Sequence, residues 1–265
     1  YQRKGPFFVV TDPPLASAQK VEEIDAYPWP QPDESWFKKG VRKARSYQKK
    51  GFAVVADPSG PGVFELGCWL MGWMRFLTAL LHRPELATHL LDRSLELHSR
   101  FWKHFLDAVG EYTQIVVIGD DYGVDTGPFM EPSLFQRLVK PRLQRLVADI
   151  KEAAPVSVML HSCGAIHSLI PSLIDADIDV LSPLQPVAYE MRAAQLKAKF
   201  GEALVLHGGI DLYRPELASL SLLETELKTL ASGGGYIFGL TSSVLHSSQL
   251  DQFLRVLNTT KGLEL

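Results

Sequence analysis

The amino-acid sequence predicts an α/β fold built from repeated βα units, as in a (β/α)₈ barrel. Three observations lead to this prediction. Six short segments are almost continuously apolar, which is typical of strands that are covered on both faces. Helical patterns separate these segments, and such alternation is typical of parallel strands joined by right-handed crossovers. Polar residues follow the predicted strands directly, at the end of a barrel where active sites are built.

The chain of 265 residues is predicted to form a single barrel domain, 1–265. Residues 1–50 are interpreted as an N-terminal connection and a helix, and residues 51–265 as six βα units. The Pro-rich segment 27–32 is predicted to be a rigid surface connection before a helix that begins near Asp33. The strands are predicted at 52–56, 114–118, 156–160, 179–181, 203–206 and 236–238.

Helices are expected in the intervals between these strands. One continuous helix is predicted over residues 63–81, and another opens at Pro84, a residue that suits the first turn of a helix. A third follows the segment Glu131-Pro132-Ser133, where apolar residues recur at helical spacing. The remaining helices are predicted at 166–174, 191–200 and 217–230.

Composition and charge exclude several classes of protein. The net charge of -3 and the pI near 6.3 argue against nucleic-acid binding, which requires a basic surface. The longest uncharged apolar run, residues 66–74, is far shorter than the roughly 18 residues that a membrane span needs. Two cysteines cannot form a disulfide framework, so we expect a cytoplasmic protein without membrane or nucleic-acid partners.

The segment Leu160-His161-Ser162-Cys163-Gly164 is a candidate metal site. In an extended backbone, residues two apart point to the same face, so the imidazole of His161 and the thiol of Cys163 can share one metal ion. Zinc suits such a nitrogen–sulfur pair and can activate a substrate thiol. The alternative is a buried structural cysteine beside a hydrogen-bonded histidine.

Asp120 and Asp121 place two carboxylates at the end of the second predicted strand. Neighbouring carboxylates in a cleft can have different pKa values, which suits acid–base catalysis or the binding of a ligand rich in N–H groups. They are therefore predicted to be catalytic, together with His161 and Cys163. The alternative is that one aspartate caps the next turn and the other faces solvent.

Polar residues after the other strands are candidate substrate-binding residues. The turn His207-Gly-Gly-Ile-Asp211 allows a ligand close to the backbone, although Asp211 as the cap of the next helix is an equal alternative. We expect these side chains to converge at one rim with Asp120, His161 and Cys163. The candidates are Asp57, Gln185, His207, Asp211 and Ser242.

Six motifs follow one another along the chain: Gly119-Asp-Asp-Tyr-Gly through Gly127-Pro, Glu131-Pro, His161-Ser-Cys-Gly, Pro183-Leu-Gln-Pro, His207-Gly-Gly-Ile-Asp and Gly233-Gly-Gly-Tyr-Ile. In this order they resemble the uroporphyrinogen decarboxylase superfamily, which includes cobalamin-dependent methyltransferases. The resemblance extends from about Val21 to the C-terminus. It implies a (β/α)₈ barrel in which two strands precede the one predicted at 52–56, so this chain would lack its first two strands.

The resemblance also implies a metal and a reaction class. The methyltransferase branch uses the equivalents of His161 and Cys163 as zinc ligands, together with a cysteine that falls near Ser242 and a glutamate that falls near Gln185. His246 is the nearby residue that can replace the missing cysteine as a ligand.

The leading hypothesis is therefore a methyltransferase that moves a methyl group between a corrinoid and a thiol or pterin. The corrinoid is a co-substrate, either free or carried by a partner corrinoid protein. Zinc is a candidate cofactor that would activate a thiol acceptor; in a metal-free version, Asp120, Asp121 and Asp211 would instead hold a pterin-like acceptor. A second hypothesis is decarboxylation of the acetate side chains of a porphyrin precursor, in which an aspartate stabilises positive charge on a pyrrole. A third is a non-catalytic barrel that binds a corrinoid.

Overall fold

The computed structural model describes residues 2–4, 7–33, 35, 37–58, 60–212, 220–241 and 247–261. The strands, in chain order, are β1 (Gln2–Lys4), β2 (Phe7–Val9), β3 (Val55–Ala56), β4 (Ile115–Gly119), β5 (Gly123–Val124), β6 (Gly127–Pro128), β7 (Ser157–His161), β8 (Val180–Leu184), β9 (Val205–Ile210) and β10 (Tyr236–Leu240). The α-helices are α1 (Val21–Asp25), α2 (Lys38–Lys49), α3 (Val63–Met71), α4 (Trp73–His82), α5 (Pro84–Val109), α6 (Pro132–Leu138), α7 (Lys140–Ala153), α8 (Ile170–Asp175), α9 (Ala193–Phe200), α10 (Leu220–Ala231) and α11 (Ser247–Lys261).

Six parallel strands form one curled sheet, which has the shape of half a barrel. The order across the sheet is β3, β4, β7, β8, β9 and β10, so each strand of the sheet lies beside the next one along the chain. Helices connect the strands, as expected for right-handed βα units. The parallel α/β fold predicted from the sequence is confirmed, whereas the closed eight-stranded barrel and the single-domain boundary stay predictions.

The two faces of the sheet have different surroundings. On the outer face, Val116, Val158 and Leu181 are fully buried against the helices in the main hydrophobic core. On the concave face, alternate residues such as Val117 and Met159 form a separate small apolar cluster. Because side chains alternate between faces along a strand, residues two positions away from a member of this cluster on the same strand also face the concave side.

The first strand of the sheet is shorter than predicted. The sequence predicts residues 52–56, but β3 contains only Val55 and Ala56, which pair with the first residues of β4. Phe52 is 60% exposed, although it is apolar. β3 is an edge of the sheet among the described residues, so the apolar run there has one paired side and is only partly covered.

The helix predicted over residues 63–81 is broken into α3 and α4. The break lies at Gly72, whose φ of 91° is a conformation that glycine adopts and other residues avoid. None of the described helices is by itself long and apolar enough to cross a bilayer. The pair α3 and α4 meets those criteria together, but it is bent by 110°.

The N-terminal region contains more structure than the predicted connection and helix. β1 and β2 form an antiparallel hairpin outside the curled sheet, and the short helix α1 follows. The helix expected to begin near Asp33 begins at Lys38, as α2. The predicted Pro-rich connection between α1 and α2 has no regular structure in most of its described part. It is not entirely at the surface as predicted, because Trp29 is buried in the main hydrophobic core.

Candidate active site

Five residues whose side of the strand faces the concave side of the sheet form a row across it, near the carboxyl ends of the strands. Pairing of the strands places Gly119 of β4 beside His161 of β7, and His161 beside Ser182 of β8. His207 of β9 continues the row through a hydrogen bond to Ser182, and Gly239 of β10 packs against the His207 ring. All strands of the sheet are parallel, so the loops that follow them start from this same edge.

Asp121, His161 and Cys163 bring an oxygen, a nitrogen and a sulfur ligand together at this edge. The three ligand atoms lie within 4.8 Å of one another. The sulfur of Cys163 is 3.6 Å from Nε2 of His161, and the backbone N–H of Cys163 donates to Oδ1 of Asp121 at 2.7 Å. The loop after β4 and the loop after β7 therefore meet at one point.

This donor set fits a zinc ion. Zinc binds sulfur at about 2.3 Å and nitrogen at about 2.0 Å, and tetrahedral geometry then separates these two ligands by about 3.5 Å. The separation between the Cys163 sulfur and Nε2 of His161 is 3.6 Å, which is close to that value. Three protein ligands are the number found in catalytic zinc sites, which keep a fourth position for substrate.

Gly164 fixes the turn after β7 through its close approach to Gly123 and through one hydrogen bond. Its φ is 89°, and a Cβ at this position would lie 2.7 Å from the backbone of Gly123, so the position requires glycine. The Gly164 N–H donates to Oε1 of Gln185 at 2.6 Å. Gln185, a predicted substrate-binding residue, therefore supports the turn that carries Cys163.

The structure gives Asp120 a different position from the one expected of a catalytic residue. Its carboxylate accepts hydrogen bonds from the backbone N–H groups of Phe64 at 3.0 Å and Glu65 at 2.7 Å, and from the Tyr122 hydroxyl at 3.0 Å. Asp120 is only 3% exposed, so it does not face the concave side as Asp121 does. It caps the first turn of α3 from the end of β4, and its geometry favours a positioning role.

Asp120 and Gly62 are in tight contact. A Cβ on Gly62 would lie 2.5 Å from the Cβ and Cγ of Asp120 and equally close to the Gly119 carbonyl oxygen.

Burial raises the pKa of Asp120 to about 7, while its hydrogen bonds from the amides of α3 oppose the rise.

Glu65 belongs to the site, and sequence reasoning missed it. Its carboxyl accepts hydrogen bonds from the Trp69 indole at 3.2 Å and from the backbone N–H of Asp121. Burial and the nearby charge of Asp121 raise the pKa of Glu65 to about 7. The sequence offered one signal for it. Glu65 is the only charged residue of the apolar helix α3, and this helix follows the Gly- and Pro-rich segment after β3.

Negative charge crowds this part of the site. Burial, together with the nearby charges of Asp121 and Glu65, raises the pKa of the Cys163 thiol to about 12. A cation at this position would reverse the effect, because it stabilises thiolate and carboxylate together. The electrostatics of the site therefore agree with its donor set in favouring a bound cation.

His207 lies on the same concave face, but it is not one of the three residues of the metal-ligand cluster. Its Nδ1 is 2.8 Å from the Ser182 hydroxyl oxygen. Burial, with a smaller contribution from the neighbouring charge of His161, lowers the pKa of His207 below its ordinary value. His207 is therefore a neutral imidazole near neutral pH.

The remaining predicted site residues have different surroundings. Asp57 directly follows β3 and is exposed, and Asp211 directly follows β9 and is 4% exposed. Both lie at the predicted edge of the sheet. Ser242 and His246 lie outside the described residues, so the proposed contribution of His246 to a metal site stays a prediction.

Comparisons with known proteins agree with the resemblance. The family model for uroporphyrinogen decarboxylase matches residues 2–263. A solved structure of a methyltransferase from Methanosarcina mazei has a similar fold, with a TM-score of 0.62 at 16% identity, over 84% of this chain and 64% of that chain. The chain thus spans less than two thirds of the length of that structure. No curated protein matches the chain in sequence at a significant level.

Proposed function

The chain belongs to the uroporphyrinogen decarboxylase family, and from this we propose that it is a methyltransferase acting between a corrinoid and a thiol or pterin acceptor. One observation carries the proposal: Asp121, His161 and Cys163 place three metal-ligand atoms within 4.8 Å of one another on the concave face. The similar fold of a methyltransferase from Methanosarcina mazei supports it.

We assign zinc to this cluster, with Asp121, His161 and Cys163 as its protein ligands. Bound zinc would lower the pKa of a substrate thiol, so that the acceptor is a thiolate near neutral pH. Asp121 also fixes the Cys163 backbone by accepting its N–H, and Gln185 fixes Gly164. These contacts hold the ligand loop in one conformation before the substrate arrives.

The proposed reaction is a displacement at the methyl carbon. The acceptor sulfur loses its proton and uses its electron pair to form the new carbon–sulfur bond. The bond between the methyl carbon and cobalt breaks, and its electron pair remains on cobalt. The corrinoid enters as co-substrate, and a partner corrinoid protein is one way to deliver it.

A cytoplasmic location is part of the proposal. Cys68 and Cys163 are both free, and Cys163 belongs to the proposed ligand set. A reducing compartment keeps such a thiol available for a metal.

The proposal is tested by incubating the protein with methylcobalamin and a small thiol, and by following the corrinoid spectrum and the thioether product. We expect transfer by the wild-type protein and a loss of about 100-fold in Cys163→Ala, because the cluster loses its sulfur ligand. Cys68→Ala is the matched control, since Cys68 is buried in the core with 1% exposure. Decarboxylation of uroporphyrinogen, or corrinoid binding without turnover, would each contradict methyl transfer.

A further inference from the structure

Ser182 and His207 form a hydrogen-bonded pair on the concave face beside the proposed metal cluster. Nδ1 of His207 is 2.8 Å from the Ser182 hydroxyl oxygen. Gly239 leaves space for the ring, since a Cβ there would lie 2.5 Å from Nε2 of His207. Within the described part of the chain, no hydrogen bond engages that Nε2.

We propose that His207 accepts the proton that the acceptor nucleophile loses, and that Ser182 positions its ring for this step. The inference rests on the proposed methyl transfer and assigns one further catalytic residue to it. The proton of the substrate S–H or N–H group moves to Nε2 of the neutral imidazole, and its electron pair stays on the nucleophile. The imidazolium then releases the proton to solvent after the methyl group has moved.

The Ser182 hydroxyl suits this role because it can both accept and donate a hydrogen bond. When His207 is neutral with its proton on Nδ1, this N–H donates to Ser182 and Nε2 carries the free electron pair. When Nε2 gains a proton, the bond from Nδ1 to Ser182 is unchanged. The ring can therefore gain and lose a proton without a change of partner.

The surroundings of His207 keep it ready to accept a proton. Burial lowers the pKa of His207, so its neutral form predominates near neutral pH. His161, on β7, would bind the proposed zinc as a neutral imidazole and adds no negative charge that would raise this pKa. The adjacent strands contribute uncharged neighbours, Ser182 from β8 and Gly239 from β10. A general base works best when its pKa lies near the working pH, because it is then largely unprotonated and still basic enough to take the proton.

The pH dependence of methyl transfer by His207→Gln tests this inference. For the wild-type protein, kcat/KM should fall as the pH drops through the pKa of His207, because the protonated ring cannot accept a proton. In His207→Gln we expect a loss of about 10²- to 10⁴-fold and the disappearance of this acidic limb. His104→Gln, at an exposed position of α5, is the matched control and should behave as wild type.

A second measurement separates catalysis from a structural role. His207→Ala should regain activity when imidazole is added to the solution, and its zinc content should equal that of the wild-type protein. Ser182→Ala should retain the acidic limb but at a shifted pH. Unchanged kcat/KM in His207→Gln, or a loss that leaves the limb in place and is not rescued by imidazole, would overturn the inference. Absence of methyl transfer in the wild-type protein would instead overturn the proposed function itself.

Discussion

A single buried carboxylate, Asp120, connects the end of β4 to the first turn of α3. Free N–H groups at the start of a helix need acceptors, and Gly62 at the N-cap has no side chain to supply one. Asp120, the neighbour of Asp121 in the sequence, supplies the acceptor from the end of β4. The capping contact thus places Glu65 next to the metal-ligand cluster.

Gly62→Ala should weaken this connection. The new Cβ would meet Asp120 and the Gly119 carbonyl oxygen at 2.5 Å, a separation that requires movement of one of the chains. We expect the free energy of unfolding in urea to fall by about 1–3 kcal/mol, as for overpacking elsewhere. Gly60→Ala is the control, because a Cβ at Gly60 meets nothing within 4 Å. Equal stability of the two variants would contradict the tight contact.

Glu65→Gln should change how stability depends on pH in the metal-free protein. The pKa of Glu65 is raised from 4.5 to about 7, so the folded protein holds this proton more tightly than the unfolded chain does. The resulting stabilisation is complete below pH 4.5 and is lost as the pH rises through about 7.

Between pH 5 and 8 the free energy of unfolding of the wild-type protein should therefore fall more steeply than that of Glu65→Gln. We expect a difference of about 1–2 kcal/mol, after allowance for the partial exposure of Glu65. Denaturant titrations at each pH measure it, with the exposed Glu85→Gln as control. Parallel curves for Glu65→Gln and the wild-type protein would show that Glu65 is not buried beside Asp121.

At the scale of elements, the bend between α3 and α4 lets residues of both helices pack into the main hydrophobic core. The first turn of α3 contacts Asp120 at the end of β4, and the chain turns by 110° at Gly72 before α4 begins. A straight helix over residues 63–81 could not pack both halves against the core in this way. The bend depends on one residue in a conformation that favours glycine.

Gly72→Ala should therefore destabilise the protein, whereas Gly40→Ala should stabilise it. Alanine at φ 91° is strained and should cost about 1–3 kcal/mol. Gly40 lies inside α2, and a Cβ there meets nothing within 4 Å. Alanine at Gly40 should add about 0.5–1 kcal/mol through higher helix propensity. Thermal or urea unfolding measures both, and the same sign for both would contradict this account of the bend.

The strands of the sheet could be predicted from the sequence better than the helix break or the hairpins. Continuous apolar runs mark β4, β7 and β8 because the central residues of these strands are buried on both faces, whereas β10 is only half-buried. The break at Gly72 could not be predicted, since the apolar residues continue on both sides of it. The short hairpins β1–β2 and β5–β6 contain too few residues to show a pattern.

The candidate site was predictable where its residues follow strands, and not where a helix supplies them. His161 and Cys163 are two residues apart at a strand end, so their shared face follows from backbone geometry. Glu65 reaches the site through the contact between α3 and Asp120, which joins residues far apart in sequence. Sequence patterns carry no record of such a contact.

At the scale of the whole molecule, the parallel sheet explains why the candidate site residues lie along one edge of it. All six strands of the curled sheet run in the same direction, so the loops after β4, β7, β8 and β9 start from neighbouring points. The concave face then divides into an apolar floor and, nearer the carboxyl ends, the row that contains His161, Ser182 and His207. The proposed metal-ligand cluster and the proposed proton acceptor share this one surface.

X-ray absorption at the zinc edge of the zinc-loaded protein tests the central claim most directly, namely that Asp121, His161 and Cys163 hold one metal ion. The account predicts one sulfur neighbour at about 2.3 Å and nitrogen or oxygen neighbours at about 2.0–2.1 Å. In Cys163→Ala the sulfur contribution should disappear, while Cys68→Ala should give the wild-type spectrum. A zinc site with only nitrogen and oxygen neighbours in the wild-type protein, or a sulfur contribution that persists in Cys163→Ala, would contradict it.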